Sequence, residues 1–201
     1  MYKVIPLLFF FFSCAQSKLE LEVLKALNHY RKVNYLAPVN ISDALQKAAN
    51  HHNQWMSLVE FSVLTQLMTN GNEDGLGAHY ETIDVPNFKE LFSPKERGEF
   101  YGALHDILSY SEICSITKAV DTKNPISPKF LSEERLAHEI IKKFSSSSDH
   151  NEEILQNIDN NSQIFVGISV ITKNEIAYTT IFFVLTNKQK NINKQGKAEN
   201  L

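Results

Sequence analysis

Three short segments carry the side chains of this sequence that are best suited to chemistry. They are Ala78–Glu81, Tyr110–Ile113 and Ser148–His150, and they lie far apart along the 201-residue chain. Their histidines and glutamates can bind a divalent metal, transfer protons or hold a polar pocket together if the fold brings them into one cleft. The residue types predict where a polar cleft forms, and they leave these uses of it open.

Zinc is one candidate occupant of this cleft. His79 and His150 could supply two imidazole ligands, and Glu112 could orient a bound water or act as the base of a metal-assisted hydrolase. The two histidines lack the close spacing of a metal-binding motif, so the pattern requires no cofactor. His150 lies at a predicted helix start, where the helix dipole disfavours the imidazolium form.

Arg97 and Cys114 lie at the border of the predicted cleft. Arg97 is expected either to pair with Glu81 and brace the cleft or to be a solvated charge on its helix. Cys114 shares a predicted strand face with Glu112, and a thiolate paired with one of the histidines would make the protein a cysteine hydrolase. A buried cysteine without a catalytic role is the favoured interpretation.

The two adjacent histidines His51 and His52 are expected to lie outside the cleft. His52 lies on the apolar face of a predicted helix and is expected to be a hydrogen-bonded core residue. His51 points away from that face and is expected to be solvated.

A calcium loop is a further alternative for the polar segment before His79. Oxygen-bearing side chains alternate from Asn70 to Asp74, Gly75 follows, and Glu81 could close the loop. The first position is Asn rather than Asp, so a polar loop without a metal is favoured. Ser145–Ser148 lacks the Gly-x-Ser-x-Gly elbow of a serine hydrolase.

The N-terminal residues have the pattern of a secretory signal. A basic start, an apolar run from Val4 to Phe12 and small residues predict a signal peptide over residues 1–15. Cleavage after Ala15 would give a secreted or periplasmic protein, and lipid attachment at Cys14 would instead anchor it to the cell envelope. The apolar run is too short to remain as a transmembrane segment. A domain over residues 18–186 and a disordered polar tail over 187–201 complete the prediction.

Charge and cysteine usage exclude several classes of protein. The formal net charge is −3, and no basic stripe with interleaved aromatic residues indicates a nucleic-acid partner. Only Cys114 remains after cleavage at Ala15, so the exported domain has no internal disulfide.

Hydrophobic periodicity predicts the elements that must position the cleft. Helices are expected over 18–32, after Ser42, over 58–68, from Ser93 to Tyr101 and after Ser132. A strand is expected within 107–117, and two strands over 163–172 and 176–185 form a hairpin around a polar turn. Helices followed by a terminal antiparallel hairpin predict an α+β fold.

Several of these segments, in this order, resemble the CAP superfamily, the cysteine-rich secretory, antigen 5 and pathogenesis-related group that is also called the SCP domain. The segments that carry the resemblance are Leu27–Arg31, Leu36–Val39, Ala48–Met56, His79–Glu81 with Arg97, Ser111–Ile113, Ser147–Leu155, Phe165–Ile168 and Tyr178–Thr180. They are similar to a bacterial, exported branch and cover roughly residues 20 to 185.

The resemblance implies a three-layer α-β-α sandwich with a cavity lined by histidine and glutamate. Carried over by position, it implies that His79, Glu112 and His150 line the cleft. Glu81 and Arg97 are predicted to lie in the same cleft, without a carry-over from the family. It also implies a lipid, a glycan or another protein as the ligand of an exported binding protein. A metal-assisted hydrolase and a structural or adhesion module remain the alternatives.

Overall fold

A four-stranded sheet with helices on both faces organises the molecule. The computed structural model describes residues 16–70, 77–102, 107–122, 128–157 and 162–187. The strands are β1 (Asn40–Ile41), β2 (Ile107–Lys118), β3 (Ser162–Lys173) and β4 (Ile176–Asn187). They lie in the order β1-β3-β4-β2, in which β1 is parallel to β3 and the other pairs are antiparallel. Strand β2, which carries Glu112 and Cys114, is therefore an edge strand.

The predicted hairpin forms the centre of this sheet. Strands β3 and β4 pair along their whole length, from Ser162 opposite Asn187 to Lys173 opposite Ile176. The two turn residues, Asn174 and Glu175, have φ values of 50° and 63°. Positive φ at both central residues is the geometry that matches the right-handed twist of hairpin strands.

Six helices lie within the described residues. They are α1 (Lys18–Val33), α2 (Asp43–Leu58), α3 (Phe61–Asn70), α4 (Pro94–Phe100), α5 (Glu133–Ser145) and α6 (Ser148–Ile154). Ser93 and Ser132 cap α4 and α5 through their hydroxyl groups, as predicted. Ser42 occupies the predicted cap position of α2, but its side chain makes no capping hydrogen bond.

The helices cover both faces of the sheet, so the predicted α+β class and three-layer arrangement are confirmed. Alternate residues of β4 face opposite layers, as the pleat of a strand requires. On one face Phe182 packs with Leu45 of α2. On the other face Phe183 packs with the layer formed by α1 and α5, which includes Leu27 and Ile140.

Helix α2 approaches the sheet closely because β3 carries a glycine at the crossing. A Cβ atom at Gly167 would lie 2.0 Å from the backbone carbon and oxygen of Leu45. Beside this contact, the Gln46 amide donates to the carbonyl of Ile168 and accepts from the N–H of the same residue at 3.0 Å. The close contact fixes the position of the helix that carries His51 and His52.

One predicted helix differs from the structure. The expected helix over residues 58–68 does not continue from α2, because Val59 is extended and ends that helix at Leu58. The Glu60 carboxylate accepts from the N–H groups of Ser62 and Val63 and so starts α3 as a separate element.

Three predictions concern residues outside the described part of the chain. These are the signal peptide over residues 1–15, the polar tail beyond residue 187 and most of the calcium-like loop, residues 71–76. Among the described residues, no helix combines the length and the apolar character needed to cross a membrane.

The close approach at Gly167 predicts a large effect of a single methyl group. Gly167→Ala should lower the free energy of unfolding by about 3 kcal/mol or more, because the added carbon collides with helix backbone rather than with a flexible side chain. Gly77→Ala is the matched control, since its Cβ would meet no atom closer than 3.8 Å. Urea unfolding measures both variants, and equal stabilities would contradict the packing described.

Candidate functional site

A cluster of buried and half-buried polar side chains lies between α2, the loop over residues 77–92, α4 and strand β2. Its members share ion-pair or hydrogen-bond distances with one another: His51, His52, His79, Glu81, Arg97, Glu112 and Cys114. The structure therefore brings together residues that lie up to 63 positions apart in the sequence.

Arg97 is the centre of this cluster and has no exposed surface. Its Nη2 donates to both carboxylate oxygens of Glu112 at 2.9 Å. Its Nη1 lies 3.3 Å from Glu81 Oε1, which is the predicted pairing. The same guanidinium donates to the carbonyls of His79 at 2.7 Å and Leu91 at 2.9 Å. One side chain therefore joins α4, β2 and both ends of the loop.

Glu81 lies on the other side of the guanidinium and is equally enclosed. Its Oε2 accepts from the N–H of Leu91 at 2.7 Å, and its Oε1 lies 3.1 Å from His52 Nδ1. His51 Nε2 lies 3.4 Å from Oε2. Protein groups therefore contact both carboxylate oxygens of Glu81, so this side chain is not available to close the calcium-like loop.

The surroundings of Glu81 keep its side chain ionised. Burial raises the pKa of this carboxyl, but the contacts with the two histidines and with the guanidinium outweigh burial and lower the pKa from 4.5 to about 2. The stability that the ionised form contributes is therefore present above pH 4.5 and is lost as the pH falls toward 2.

Glu112 is held in the same way. Burial raises its pKa, but the positive charge of Arg97 and the contacts with His52 and His79 outweigh burial, so the pKa lies well below its ordinary value. A carboxylate stabilised in this way has a low affinity for protons. This property opposes the role of general base that the sequence suggested for Glu112.

The two adjacent histidines of α2 both belong to the cluster. His52 is fully buried, as predicted, with Nε2 2.9 Å from the carbonyl of Ala78, and it stacks on Trp55 at a centroid distance of 5.3 Å. Burial lowers the pKa of His52, although both of its ring nitrogens face oxygen acceptors.

The prediction that His51 is solvated is wrong. This ring is buried, with Nδ1 3.0 Å from the Tyr101 hydroxyl and its centroid 4.7 Å from that of Phe88. Helical periodicity identifies the face of α2 that meets the sheet. It cannot reveal that a loop without periodicity covers the adjoining face.

His79 and Cys114 form the end of the cluster that is nearest to solvent. His79 Nδ1 lies 3.4 Å from Glu112 Oε1, and its side chain is 33% exposed. Cys114 Sγ lies 3.6 Å from both of these atoms. Cys114 is buried, as expected, and burial together with the charge of Glu112 raises the pKa of its thiol. The thiol is therefore protonated at neutral pH, which disfavours a cysteine hydrolase.

His150 faces this end of the cluster from α6. Its ring centroid lies 6.4 Å from that of His79 and 5.4 Å from that of Phe144. Burial and the neighbouring His79 lower the pKa of His150, so its ring is neutral at ordinary pH. The buried Arg31 of α1 holds α6 in place by donating to the carbonyl of Ile154 at 2.5 Å.

A groove of about 1030 Å³ opens beside His79, Cys114 and His150. It follows strand β2 at the edge of the sheet, with α3 on one side and α5 on the other. Apolar side chains form much of its wall: Phe61, Leu67, Met68, Ile116, Val120, Leu131 and Ile176. Four cationic side chains lie along it: Lys118, Arg135, Lys142 and Lys143.

The sequence predicted five residues that line a cleft: His79, Glu81, Arg97, Glu112 and His150. The structure places His79, Glu81, Arg97 and Glu112 in one network, and the ring of His150 lies edge-on to that of His79 with 6.4 Å between the centroids. The sequence prediction placed His51 in solvent, it gave Tyr101 no part in the site, and for Cys114 it favoured a buried cysteine over a nucleophile. The spacing of two residues between Glu112 and Cys114 predicted that both side chains lie on one strand face, because alternate strand residues share a face.

Comparisons with known proteins concern the fold alone. No protein-family model matches the sequence, and a search of curated proteins finds no significant match. Among solved structures, the chain is similar to an outer surface protein of Borrelia burgdorferi, with 15% identity and a TM-score of 0.48 over 86% of this chain and 96% of that one.

Two further similar structures are described by the names of the family that the sequence motifs resemble. One is an extracellular SCP-domain protein of Bacillus anthracis, with 11% identity and a TM-score of 0.49 over 83% of this chain and 40% of that one. The other is a cysteine-rich secretory protein of Staphylococcus aureus, with 14% identity and a TM-score of 0.43 over 83% and 38%. The chain thus spans less than half the length of these two proteins. At these identities and TM-scores the likeness says nothing about activity or ligands.

The central position of Arg97 predicts a strong dependence of stability on its charge. Arg97→Met should lower the free energy of unfolding by about 3–5 kcal/mol, because it leaves two buried carboxylates without their cation. Lys95→Met, on the same helix but largely exposed, should change it by less than about 0.5 kcal/mol. Urea unfolding of both variants measures the difference, and equal effects would show that the ion pairs do not hold the site together.

Proposed function

We propose that the protein binds an amphiphilic ligand of the lipid class, with an apolar body and an anionic group, in the groove along β2. The observation that carries this proposal is the combination of apolar walls with cationic side chains in a groove of about 1030 Å³. Ligand pockets of this size are typically apolar, with a few polar groups that set the orientation of the ligand.

The charges along the groove favour an anion. Lys118, Arg135, Lys142 and Lys143 line it, and the only carboxylates among its described lining residues are Asp121 and Glu139. Arg135 pairs with Asp121 at 3.0 Å, and Lys143 donates to the carbonyl of Ile116. Lys142 is exposed on α5. Lys118, at the end of β2, is exposed as well, so both cations can meet an anionic ligand group.

The edge strand supplies neutral polar groups as well. The hydroxyls of Ser115 and Thr117 line the groove, are buried and have no hydrogen-bond partner among the described residues. A buried hydroxyl without a partner is costly. Rotation of either side chain toward the groove would let a ligand carboxylate accept from its hydroxyl and offset that cost.

A glycan or a protein partner fits the groove less well. Sugar-binding sites rely on polar groups and aromatic platforms, and Phe61 is the single Phe, Tyr or Trp side chain among the described lining residues. Binding of either class in place of the amphiphile is an outcome of the test below.

We also propose that the protein is exported, with cleavage after Ala15. The basic start and short apolar run of the N-terminal residues support this proposal. The intact mass of the mature protein tests it, because cleavage after Ala15 leaves Gln16 as the first residue. A diacylated Cys14 at the N-terminus would instead show a lipoprotein.

Blocking the groove should abolish amphiphile binding. Thr65 lines the groove from an exposed position on α3, so Thr65→Trp should weaken binding of a fluorescent long-chain fatty acid by about tenfold or more. Gln66→Trp is the matched control, because Gln66 is equally exposed on α3 but does not line the groove. Fluorescence titration of delipidated protein measures both variants.

A second pair of variants tests the anionic group. Lys142→Glu should weaken binding of the fatty acid but not of the matching uncharged alcohol, whereas Lys47→Glu, on an exposed position of α2 outside the groove, should change neither. The proposal fails if the wild-type protein does not bind the fatty acid, or if both tryptophan variants bind it as the wild-type does.

A further inference from the structure

The outer edge of strand β2 carries backbone hydrogen-bonding groups that face the groove. In the sheet order β1-β3-β4-β2, this strand has a neighbour on one side only. The segment around Phe130 pairs with the chain beyond the end of β2, at Val120. Among the described residues, β2 therefore presents an open strand edge to the groove.

The pairing with β4 identifies the residues whose backbone faces the groove. Ala119 donates to the carbonyl of Glu175 at 2.8 Å, in register with the ladder between β2 and β4. Because hydrogen-bonded pairs alternate along an antiparallel ladder, Ser115 and Thr117 also bond to β4. The backbone groups of the residues between and beside them point the other way. These residues are Cys114, Ile116 and Lys118, and all three line the groove.

A lysine side chain bonds to one of these backbone groups. The ammonium of Lys143, on α5, donates to the carbonyl of Ile116. This contact agrees with the alternation, since it reaches β2 from the side opposite β4. The ammonium stands where the N–H of a neighbouring strand would donate. The other edge groups, which include the N–H groups of Ile116 and Lys118, have no partner among the described residues.

We propose that the amphiphile in this groove is an acylated peptide, whose amide backbone adds to the edge of β2 as a short strand. Strand addition to an open sheet edge is a common way in which proteins bind extended peptides. The segment from Cys114 to Lys118 spans about 14 Å, at about 3.4 Å per residue, which suits a peptide of about four residues. This inference rests on the proposed function and names the polar part of its ligand.

The two walls of the groove fit the two parts of such a ligand. Apolar side chains of α3 form one wall and suit the acyl chain: Phe61, Leu67 and Met68. Cationic side chains of α5 lie along the other wall. Alternate side chains of an added strand point to opposite walls, so every second residue would face α5. A carboxylate there can pair with Lys142, and with Lys143 once a peptide N–H replaces its ammonium on Ile116.

A peptide backbone satisfies the edge of β2 better than a simple fatty acid does. Each peptide unit supplies one donor and one acceptor, at the spacing of the strand that it joins. The carboxylate of a fatty acid supplies acceptors only, so the edge carbonyls gain no partner from it. The open edge therefore favours a ligand with several amides.

A set of synthetic ligands tests the proposal. Myristoyl-Ala-Glu-Ala-Glu amide should bind the delipidated protein about tenfold or more tightly than myristate does, in isothermal titration calorimetry. Two further ligands carry N-methyl groups on both alanines or on both glutamates. Because alternate amides of a strand face the same side, one of these ligands should lose about tenfold or more in affinity, and the other should bind as the parent does.

Amide hydrogen exchange locates the added strand. The acylated peptide should slow exchange of the N–H groups of Ile116 and Lys118 by about tenfold or more, and myristate should not. Ser115 and Thr117 are the internal controls, because their N–H groups bond to β4 without the ligand and should not show this gain.

A proline variant removes one edge donor from the protein. Ile116→Pro deletes an N–H that faces away from β4, and an edge strand tolerates proline at such a position. Ile116→Ala is the matched control, since it shortens the same side chain but keeps the N–H. The proline variant should bind the acylated peptide more weakly than the alanine variant, and the two should bind myristate equally.

Three results would overturn the proposal: an acylated peptide that binds no more tightly than myristate, equal binding of the two methylated peptides, or equal binding of the peptide without its acyl chain. The ligand comparisons remain decisive if the proline variant does not fold. Failure of myristate itself to bind would count against the proposed function instead, and the comparison of the methylated peptides does not depend on that result.

Discussion

Arg97 carries a positive charge with no exposed surface, and the carboxylates of Glu81 and Glu112 balance it. Burial of any one of these groups alone would cost several kcal/mol, so each is tolerated only because the others are present. The three groups come from α4, a loop and an edge strand, and this interaction forces those elements into contact. The rest of the site depends on that contact.

The organisation of the groove follows from the same interaction. The guanidinium holds the carbonyl of His79 and so places this imidazole at the edge of the sheet, beside Cys114. A separate buried cation, Arg31, anchors the short helix that carries His150 on the opposite side. Two buried arginines thus determine where the polar end of the groove lies, while apolar residues of α3 and β2 determine its length. This division separates a polar end of the groove from an apolar one.

Elements with a regular hydrophobic period could be predicted from the sequence, as α5 and the β3–β4 hairpin show. The break between α2 and α3 could not, because Glu60 caps the new helix inside an unbroken apolar run. Within the site, Glu81 and Arg97 could be paired by their types and their nearness in sequence. The burial of His51 could not be predicted, since it depends on a loop whose path is set by hydrogen bonds to Arg97 rather than by a sequence period.

The most direct test of the central interaction is the protonation of the two buried carboxyls, followed by carbon-13 NMR of labelled glutamate side chains. The structure predicts that the Glu81 signal keeps its ionised shift down to about pH 3, because its pKa is lowered from 4.5 to about 2, and that Glu112 does the same. Titration of either signal with a midpoint near 4.5 in the folded protein would contradict the paired, buried arrangement around Arg97.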